Sequence, residues 1–138
     1  MERLKQRIVV ARRALGTLEE LAKEPFSKIV RDAAIQRFEH SFEAAWKAAQ
    51  RYLEIVEGIP VGSPKAAFRA CLDTGPMDAA SARQALAMTD DRNLTVHTYN
   101  EDLAKQIYSR VPGHLALMLD LVSAMASRLT ISKGKRLT

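Results

Sequence analysis

The sequence contains a single cysteine, Cys71, which excludes an internal disulfide and a metal site built from several thiolates. Low cysteine content is typical of proteins from a reducing compartment. The chain also lacks a glycine-rich phosphate loop, a His/Cys cluster with metal-ligand spacing and a Gly-x-Ser-x-Gly nucleophile elbow. The sequence therefore gives no sign of the commonest nucleotide-binding, metal-binding or serine-hydrolase sites, and we expect no cofactor and no metal.

Long apolar runs are missing as well. The longest one, near residues 115–125, is interrupted by Asp120 and falls short of the roughly 20 residues that a bilayer requires. The first seven residues alternate charged and apolar side chains, unlike the apolar core of a signal peptide. We therefore expect a soluble cytoplasmic protein without membrane association.

Length and charge set further bounds. The chain has 138 residues, the size of one ordinary domain, and 47% of them are hydrophobic, which is typical of a globular fold. Lys and Arg number 21 and Asp and Glu number 16, so the net charge is +5 with neutral histidines. A positive balance of this size permits nucleic-acid binding without requiring it.

The periodicity of apolar residues predicts helices. Strand signals are nearly absent, and the β-branched cluster of Thr95, Val96 and Thr98 is short. Apolar residues instead recur at steps of three and four, the spacing of an amphipathic helix. The pattern predicts an all-α, up-and-down bundle of four main helices with additional short helices. The predicted helical segments are residues 2–22, 27–57, 64–73, 79–91, 101–111 and a last helix from about residue 114.

Local signals predict where these helices begin and end. Ser63, Asp78 and Asn100 are expected N-caps, because their side chains can accept hydrogen bonds from the first helical turn. Gly58 is expected to end the second helix. Pro112 and Gly113 are expected to separate the last two helices.

The last predicted helix has apolar residues on more than one side. One row contains Met118 and Val122, and a second row contains Leu117 and Leu121. Such a helix must bury more than one side, either by a central position in the bundle or in a homodimer interface. We assign residues 1–130 to the helical domain and residues 131–138 to a basic flexible tail, for which contact with RNA is an alternative role.

The candidate functional residues are Arg92, Asn93, His97 and Tyr99, which fall within eight positions at the junction of two predicted helices. Arg92 and His97 would diverge on an ideal helix, so their convergence requires the helix to end or distort between them. A neutral imidazole can take the proton of a ribose 2′-hydroxyl, and a guanidinium can stabilise charge on a phosphate. Asn93 could orient either side chain. The residues therefore allow cleavage of RNA without a metal ion.

Structural interpretations of these and other polar residues stay open. Arg92 could simply pair with Asp90 or Asp91 on the surface. His40 is expected to be exposed or packed against a helix, and His114 to have a local hydrogen-bonding role. Cys71 is expected to be a small buried residue.

The segment from Arg92 to Tyr99 resembles the Arg-x4-His-x-Tyr motif of HEPN-domain proteins, in which an Asn or Asp, here Asn93, commonly follows the Arg. Residues 36–47, QRFEHSFEAAWK, resemble the "RFE-x-x-FE-x-AWK" segment of one branch, the nucleotidyltransferase substrate-binding proteins. Residues 63–65 and 91–95 are similar to that branch too. The resemblance covers roughly residues 2–130 and leaves the basic tail outside.

The resemblance implies a dimeric helical bundle in which the Arg/His motifs of two chains face a shared cleft. It implies a partner, a minimal nucleotidyltransferase (MNT) encoded nearby, which uses ATP. In toxin–antitoxin versions the HEPN protein is a metal-independent endoribonuclease, and the partner adds AMP to the motif tyrosine, here Tyr99, and silences it. Arg92, His97 and Asn93 would then be catalytic. The alternative is a non-catalytic subunit that docks the MNT and helps to hold its substrate.

Overall fold

The chain folds into five α-helices, in a computed structural model that describes the backbone of residues 1–137 and the side chains of residues 1–129. The helices are α1 (Glu2–Ala22), α2 (Lys28–Tyr52), α3 (Pro64–Thr74), α4 (Ala79–Leu94) and α5 (Glu101–Leu137). A π-helical turn (Leu53–Glu57) extends α2, and a 3-10 turn (Thr95–His97) follows α4. The backbone described contains no strand, so the predicted all-α fold is confirmed.

The predicted N-caps Ser63, Asp78 and Asn100 and the predicted stop at Gly58 are confirmed. The side chains of Ser63, Asp78 and Asn100 accept hydrogen bonds from backbone N–H groups three residues later, at 3.2, 2.7 and 3.2 Å. These bonds satisfy donors that the first turn of a helix otherwise leaves unpaired. Gly58 adopts a left-handed conformation with φ +70° and ends the π-helical turn.

The core forms where α2 packs against α1, α3 and α5. Phe38, Phe42 and Phe68 are fully buried there. The ring centroids of Phe38 and Phe42 are 6.3 Å apart, and those of Phe42 and Phe68 are 6.0 Å apart. Cys71 is buried in the same core, as predicted, and burial raises the pKa of its thiol to about 12. This thiol therefore stays protonated at neutral pH and is not a nucleophile.

The prediction that Pro112 and Gly113 separate two helices is wrong. Pro112 lies inside α5, which runs through it without a break. Its ring removes one helical hydrogen bond, but Pro112 and Gly113 are both exposed, so water can solvate the freed carbonyl. Val111 and His114 on either side are buried, in phase with one apolar face. The burial of that face on both sides of the proline outweighs the local cost.

The two apolar rows of α5 are explained by its central position. α5 packs against α1, α2 and α4, and Leu117 and Leu121 are only 5% and 2% exposed within the single chain. The second row therefore requires no further interface, and the homodimer remains a prediction. The basic tail, residues 131–138, lies outside the side chains that the structure describes, and its flexibility remains a prediction. Over the described residues, no helix has the length and apolar character needed to span a membrane.

Candidate functional site

The end of α4 places Arg92 and His97 on different local structures. Arg92 lies in the last turn of α4, which ends at Leu94, whereas His97 lies in the 3-10 turn. Thr95 makes this transition: its buried hydroxyl donates to the Arg92 carbonyl oxygen at 2.7 Å and accepts from Arg92 Nη1 at 3.2 Å. The predicted interruption between Arg92 and His97 is therefore present, because a threonine side chain competes with the helical backbone bonds.

His97 and Tyr99 form a pair on the surface. The Tyr99 hydroxyl lies 3.3 Å from His97 Nδ1, and the two rings meet edge to face with centroids 5.8 Å apart. Both residues are exposed, and Tyr99 is 83% exposed. The backbone N–H of Asn100 donates to the His97 carbonyl at 3.0 Å and fixes the turn between the 3-10 segment and α5. The phenol is thus held at an accessible junction of two helices.

Arg92 points towards α2. Its Nη1 and Nη2 atoms each lie 3.9 Å from a carboxylate oxygen, one of Glu39 and one of Glu43, and the side chain is 24% exposed. These are ion pairs longer than a hydrogen bond. The Arg92 Nε atom is buried and has no hydrogen-bond partner among the described residues. Among the described residues Nη2 has only the 3.9 Å contact with Glu43, so this part of the guanidinium retains donors that a further acceptor could use.

The structure does not join the predicted site residues into one network. Within residues 1–129, no hydrogen bond links Arg92 to His97, and the exposed Asn93 side chain bonds to neither of them. The suggested surface pairing of Arg92 with Asp90 or Asp91 is wrong, because Asp90 binds Lys65 at 2.7 Å and Asp91 faces α5.

A cavity of about 260 Å³ lies between Tyr99 and α2. Its polar lining includes Asp32 and Glu39 on α2 and Thr98 and Tyr99 at the junction. Negative charge on the α2 side disfavours a phosphate there unless a cation such as Arg92 neutralises it. The Arg92 contacts with Glu39 and Glu43 are in position to do so.

A polar cluster around the buried Asp91, which the sequence did not predict, anchors the end of α4. Asp91 accepts two hydrogen bonds from Arg110, both at 2.7 Å, and its Oδ2 lies 2.7 Å from His114 Nε2. The His114 ring stacks on Phe38 with centroids 5.2 Å apart. Burial alone would raise the pKa of Asp91, but the hydrogen bonds from Arg110 and His114 outweigh it and lower that pKa. In the part of the chain whose side chains are described, the His114 side chain therefore does not form the local hydrogen bond that the sequence predicts, but contacts Asp91 of α4 instead.

A second unpredicted contact anchors the start of α5. The buried Arg31 donates to the two carboxylate oxygens of Glu101 at 2.8 and 3.3 Å, and to Asp32 at 3.0 Å. The Arg31 hydrogen bond lowers the pKa of Glu101. Because Glu101 follows Tyr99 by two residues, this bidentate contact fixes the junction to α2 and neutralises one acidic group beside the site. Within the described residues, no group of three or more His, Cys, Asp or Glu side chains is placed to hold a metal ion.

Comparison with known proteins identifies relatives of the chain. A Thermus thermophilus protein of known structure is 50% identical, with a TM-score of 0.81 over 83% of this chain and 98% of that one. HI0074 from Haemophilus influenzae, described as having the fold of a substrate binding domain of a nucleotidyltransferase, is 23% identical with a TM-score of 0.73 over 86% of this chain and 98% of that one. Among curated proteins no relative matches the chain.

More distant structures have the same fold. A tri-AMPylated HEPN toxin from Shewanella oneidensis, in complex with its MNT antitoxin, is 15% identical and gives a TM-score of 0.73 over 90% of this chain and 96% of that one. The fold expected from the HEPN resemblance is therefore confirmed. The family described as "nucleotidyltransferase substrate binding protein like" matches residues 6–127. The chain belongs to the nucleotidyltransferase substrate binding protein like family, and its fold is that of the HEPN toxins.

Proposed function

We propose that this chain is the HEPN component of a two-component HEPN/MNT system. In this system a separate minimal nucleotidyltransferase adds AMP to Tyr99 and so silences a metal-independent endoribonuclease built on Arg92 and His97. One observation carries the proposal: the Tyr99 side chain is 83% exposed and its hydroxyl lies 3.3 Å from the imidazole of His97. A group attached to that oxygen would lie directly against the proposed general base.

The cleavage step uses His97 and Arg92. In the neutral tautomer whose Nδ1–H donates to the Tyr99 oxygen, Nε2 is unprotonated and can take the proton from the ribose 2′-hydroxyl. The 2′-oxygen then bonds to phosphorus and the bond to the 5′-oxygen breaks. The products are a 2′,3′-cyclic phosphate and a 5′-hydroxyl, whose oxygen takes its proton from water. Arg92 would stabilise the added charge on the phosphate. Its long contacts with Glu39 and Glu43 can yield to the shorter bonds that phosphate oxygens offer.

The silencing step uses Tyr99. Its hydroxyl oxygen bonds to the α-phosphorus of ATP bound by the partner, the α–β anhydride bond breaks and pyrophosphate leaves. The hydroxyl proton passes to His97 Nδ1, which lies within hydrogen-bond distance and accepts it in the other neutral tautomer, with the ring proton on Nε2. The product has a phosphodiester and an adenosine beside the imidazole. Its negative charge and bulk would occupy the place of the RNA phosphate and repel RNA.

The second candidate function is a non-catalytic substrate-binding subunit that docks the nucleotidyltransferase. It is favoured by the orientation of Arg92, which faces two carboxylates of α2 instead of His97. In that case Arg92 and His97 could both be replaced without loss of the complex, and the partner would be inactive on its acceptor substrate when this chain is absent.

Cleavage of RNA in EDTA tests the first proposal. The wild-type chain is expected to cleave single-stranded RNA to products with a 2′,3′-cyclic phosphate, and His97→Ala is expected to lose at least about 100-fold in rate, the contribution of a general base. His40→Ala is the matched control, because His40 is exposed on α2 and is expected to leave the rate unchanged. A wild-type chain that is inert on RNA and harmless when expressed alone would contradict the ribonuclease and leave the docking subunit.

A further inference from the structure

A second polar groove lies on another face of the bundle. Its lining residues are Arg3, Gln6, Arg7 and Val10 of α1 and Arg51 of α2, and its volume is about 360 Å³. We call it the arginine groove. Arg51 is about 18 Å along the α2 axis and about 120° around it from Glu39, by ideal helix geometry. The arginine groove is therefore distinct from the surface that surrounds Arg92 and Tyr99.

The positive charge of the arginine groove is largely uncompensated. Arg51 has one acidic contact, with Glu54 at 3.5 Å. Within residues 1–129, neither Arg3 nor Arg7 forms an ion pair. Because Arg3 and Arg7 are four residues apart on one helix, they are neighbours and repel each other. The fold thus brings together like charges that an external anion would neutralise.

The donor types and their spacing suit phosphates. A guanidinium presents a planar fork of N–H donors that matches two oxygens of one phosphate. Arg3 and Arg7 are separated by about 6 Å along α1, so each can meet a different phosphate of one strand. Val10 is 52% exposed beside them and offers an apolar surface to a ribose or base, and the Gln6 amide supplies both a donor and an acceptor.

We propose that the arginine groove binds the phosphodiester backbone of single-stranded RNA and holds it outside the Arg92–His97 site. The choice of RNA as the occupant rests on the proposed function. The groove itself does not depend on catalysis by Arg92 or His97. It would supply affinity without sequence preference, since phosphate contacts position a strand and do not read its bases.

Binding of a fluorescein-labelled single-stranded RNA, followed by anisotropy in the cleavage-deficient His97→Ala chain, tests this inference. The double variant Arg3→Gln/Arg7→Gln removes two proposed phosphate contacts. We expect at least about tenfold weaker binding near 0.1 M salt. We also expect the slope of log affinity against log salt concentration to be smaller in magnitude by about 1.4, which is ~0.7 for each lost phosphate contact. Thermal unfolding of each variant confirms that it is folded.

The matched control is Lys5→Gln/Arg12→Gln. Both residues are exposed on α1, outside the arginine groove, and their replacement changes the net charge equally. The inference is supported if the groove variant loses affinity and salt dependence while the control keeps both. It is overturned if the two double variants weaken binding equally, if neither does, or if the groove variant binds RNA normally and instead loses the nucleotidyltransferase.

The outcome is separable from that of the proposed function. Groove-dependent RNA binding by a wild-type chain that never cleaves RNA would support the arginine groove and contradict the ribonuclease. Normal RNA binding and normal RNA cleavage by Arg3→Gln/Arg7→Gln would contradict the arginine groove and support the ribonuclease.

Discussion

The hydroxyl oxygen of Tyr99 lies 3.3 Å from Nδ1 of His97, on the exposed turn that joins α4 to α5. Two residues with proposed roles in opposite processes, silencing and cleavage, are therefore in direct contact. Because the junction is fixed by the buried Asp91 cluster on one side and by Arg31 and Glu101 on the other, this contact does not depend on a long flexible loop.

Tyr99→Phe should separate silencing from cleavage. The variant lacks the acceptor oxygen but retains His97 and Arg92, so it should cleave RNA like the wild type and remain toxic when the nucleotidyltransferase is co-expressed. Colony counts with and without the partner measure this. Tyr108→Phe is the control, since Tyr108 is half-buried against Phe26 and should leave silencing intact. Rescue of Tyr99→Phe cells by the active partner would exclude Tyr99 as the regulated hydroxyl.

Neutralising the two α2 carboxylates should activate the proposed ribonuclease. In Glu39→Gln/Glu43→Gln, Arg92 loses both acidic contacts and becomes available to a phosphate. Each pair is partly exposed and contributes about 0–1 kcal/mol, so we expect cleavage to increase by up to about tenfold. Initial rates at fixed RNA concentration measure the effect. Glu19→Gln/Glu20→Gln, on the exposed side of α1, changes the charge equally and should have little effect. An equal gain in both variants would mean that net charge alone is responsible.

The Asp91 cluster should make the stability of the fold sensitive to acid. The pKa of Asp91 is lowered in the folded chain, so its contribution is fully present above the ordinary pKa of about 3.9 and is lost as the pH falls through the lower folded value. Asp91→Asn should lower the free energy of unfolding by about 1–3 kcal/mol at pH 7. This is less than the ~3–5 kcal/mol lost when a fully buried ion pair is broken, because Arg110 is 45% exposed. Urea unfolding from about pH 7 to pH 3 measures the difference. A difference in stability between the wild type and Asp91→Asn that does not shrink towards pH 3 would contradict the stabilising role of the ionised Asp91.

A side chain at Gly75 should destabilise the fold. It has φ +111° at the end of α3, and an added Cβ would meet the guanidinium of Arg128. Gly75→Ala should lower the free energy of unfolding by about 1–2 kcal/mol, the cost of a left-handed conformation for an L-residue. Gly62→Ala provides the comparison, because a Cβ at Gly62 meets open space. Thermal denaturation of both variants measures the effect, and equal melting temperatures would contradict the strain.

Sequence reasoning succeeded where the signal was local. Ser63, Asp78 and Asn100 could be predicted as caps because each acts on a backbone group three residues away. Pro112 misled the prediction, because its cost is local whereas the compensating burial of α5 comes from other helices. Contacts between helices also limit what the sequence predicts about the candidate site. Arg92 and His97 could be singled out by spacing, but the contacts of Arg92 with α2 could not.

The unpredicted anchors have no signature in the local sequence. Arg110 and His114 are 19 and 23 residues from Asp91, and Arg31 is 70 residues from Glu101. Only the packing of α5 against α2 and α4 brings these groups together.

The most direct test of the account is the mass of the chain after incubation with its nucleotidyltransferase and ATP, measured alongside RNA cleavage by the same sample. We predict one or more added AMP groups, the first of them on the peptide that contains Tyr99, and a loss of cleavage in proportion to the modified fraction. Full modification of Tyr99 with undiminished cleavage, or full silencing with Tyr99 unmodified, would contradict it.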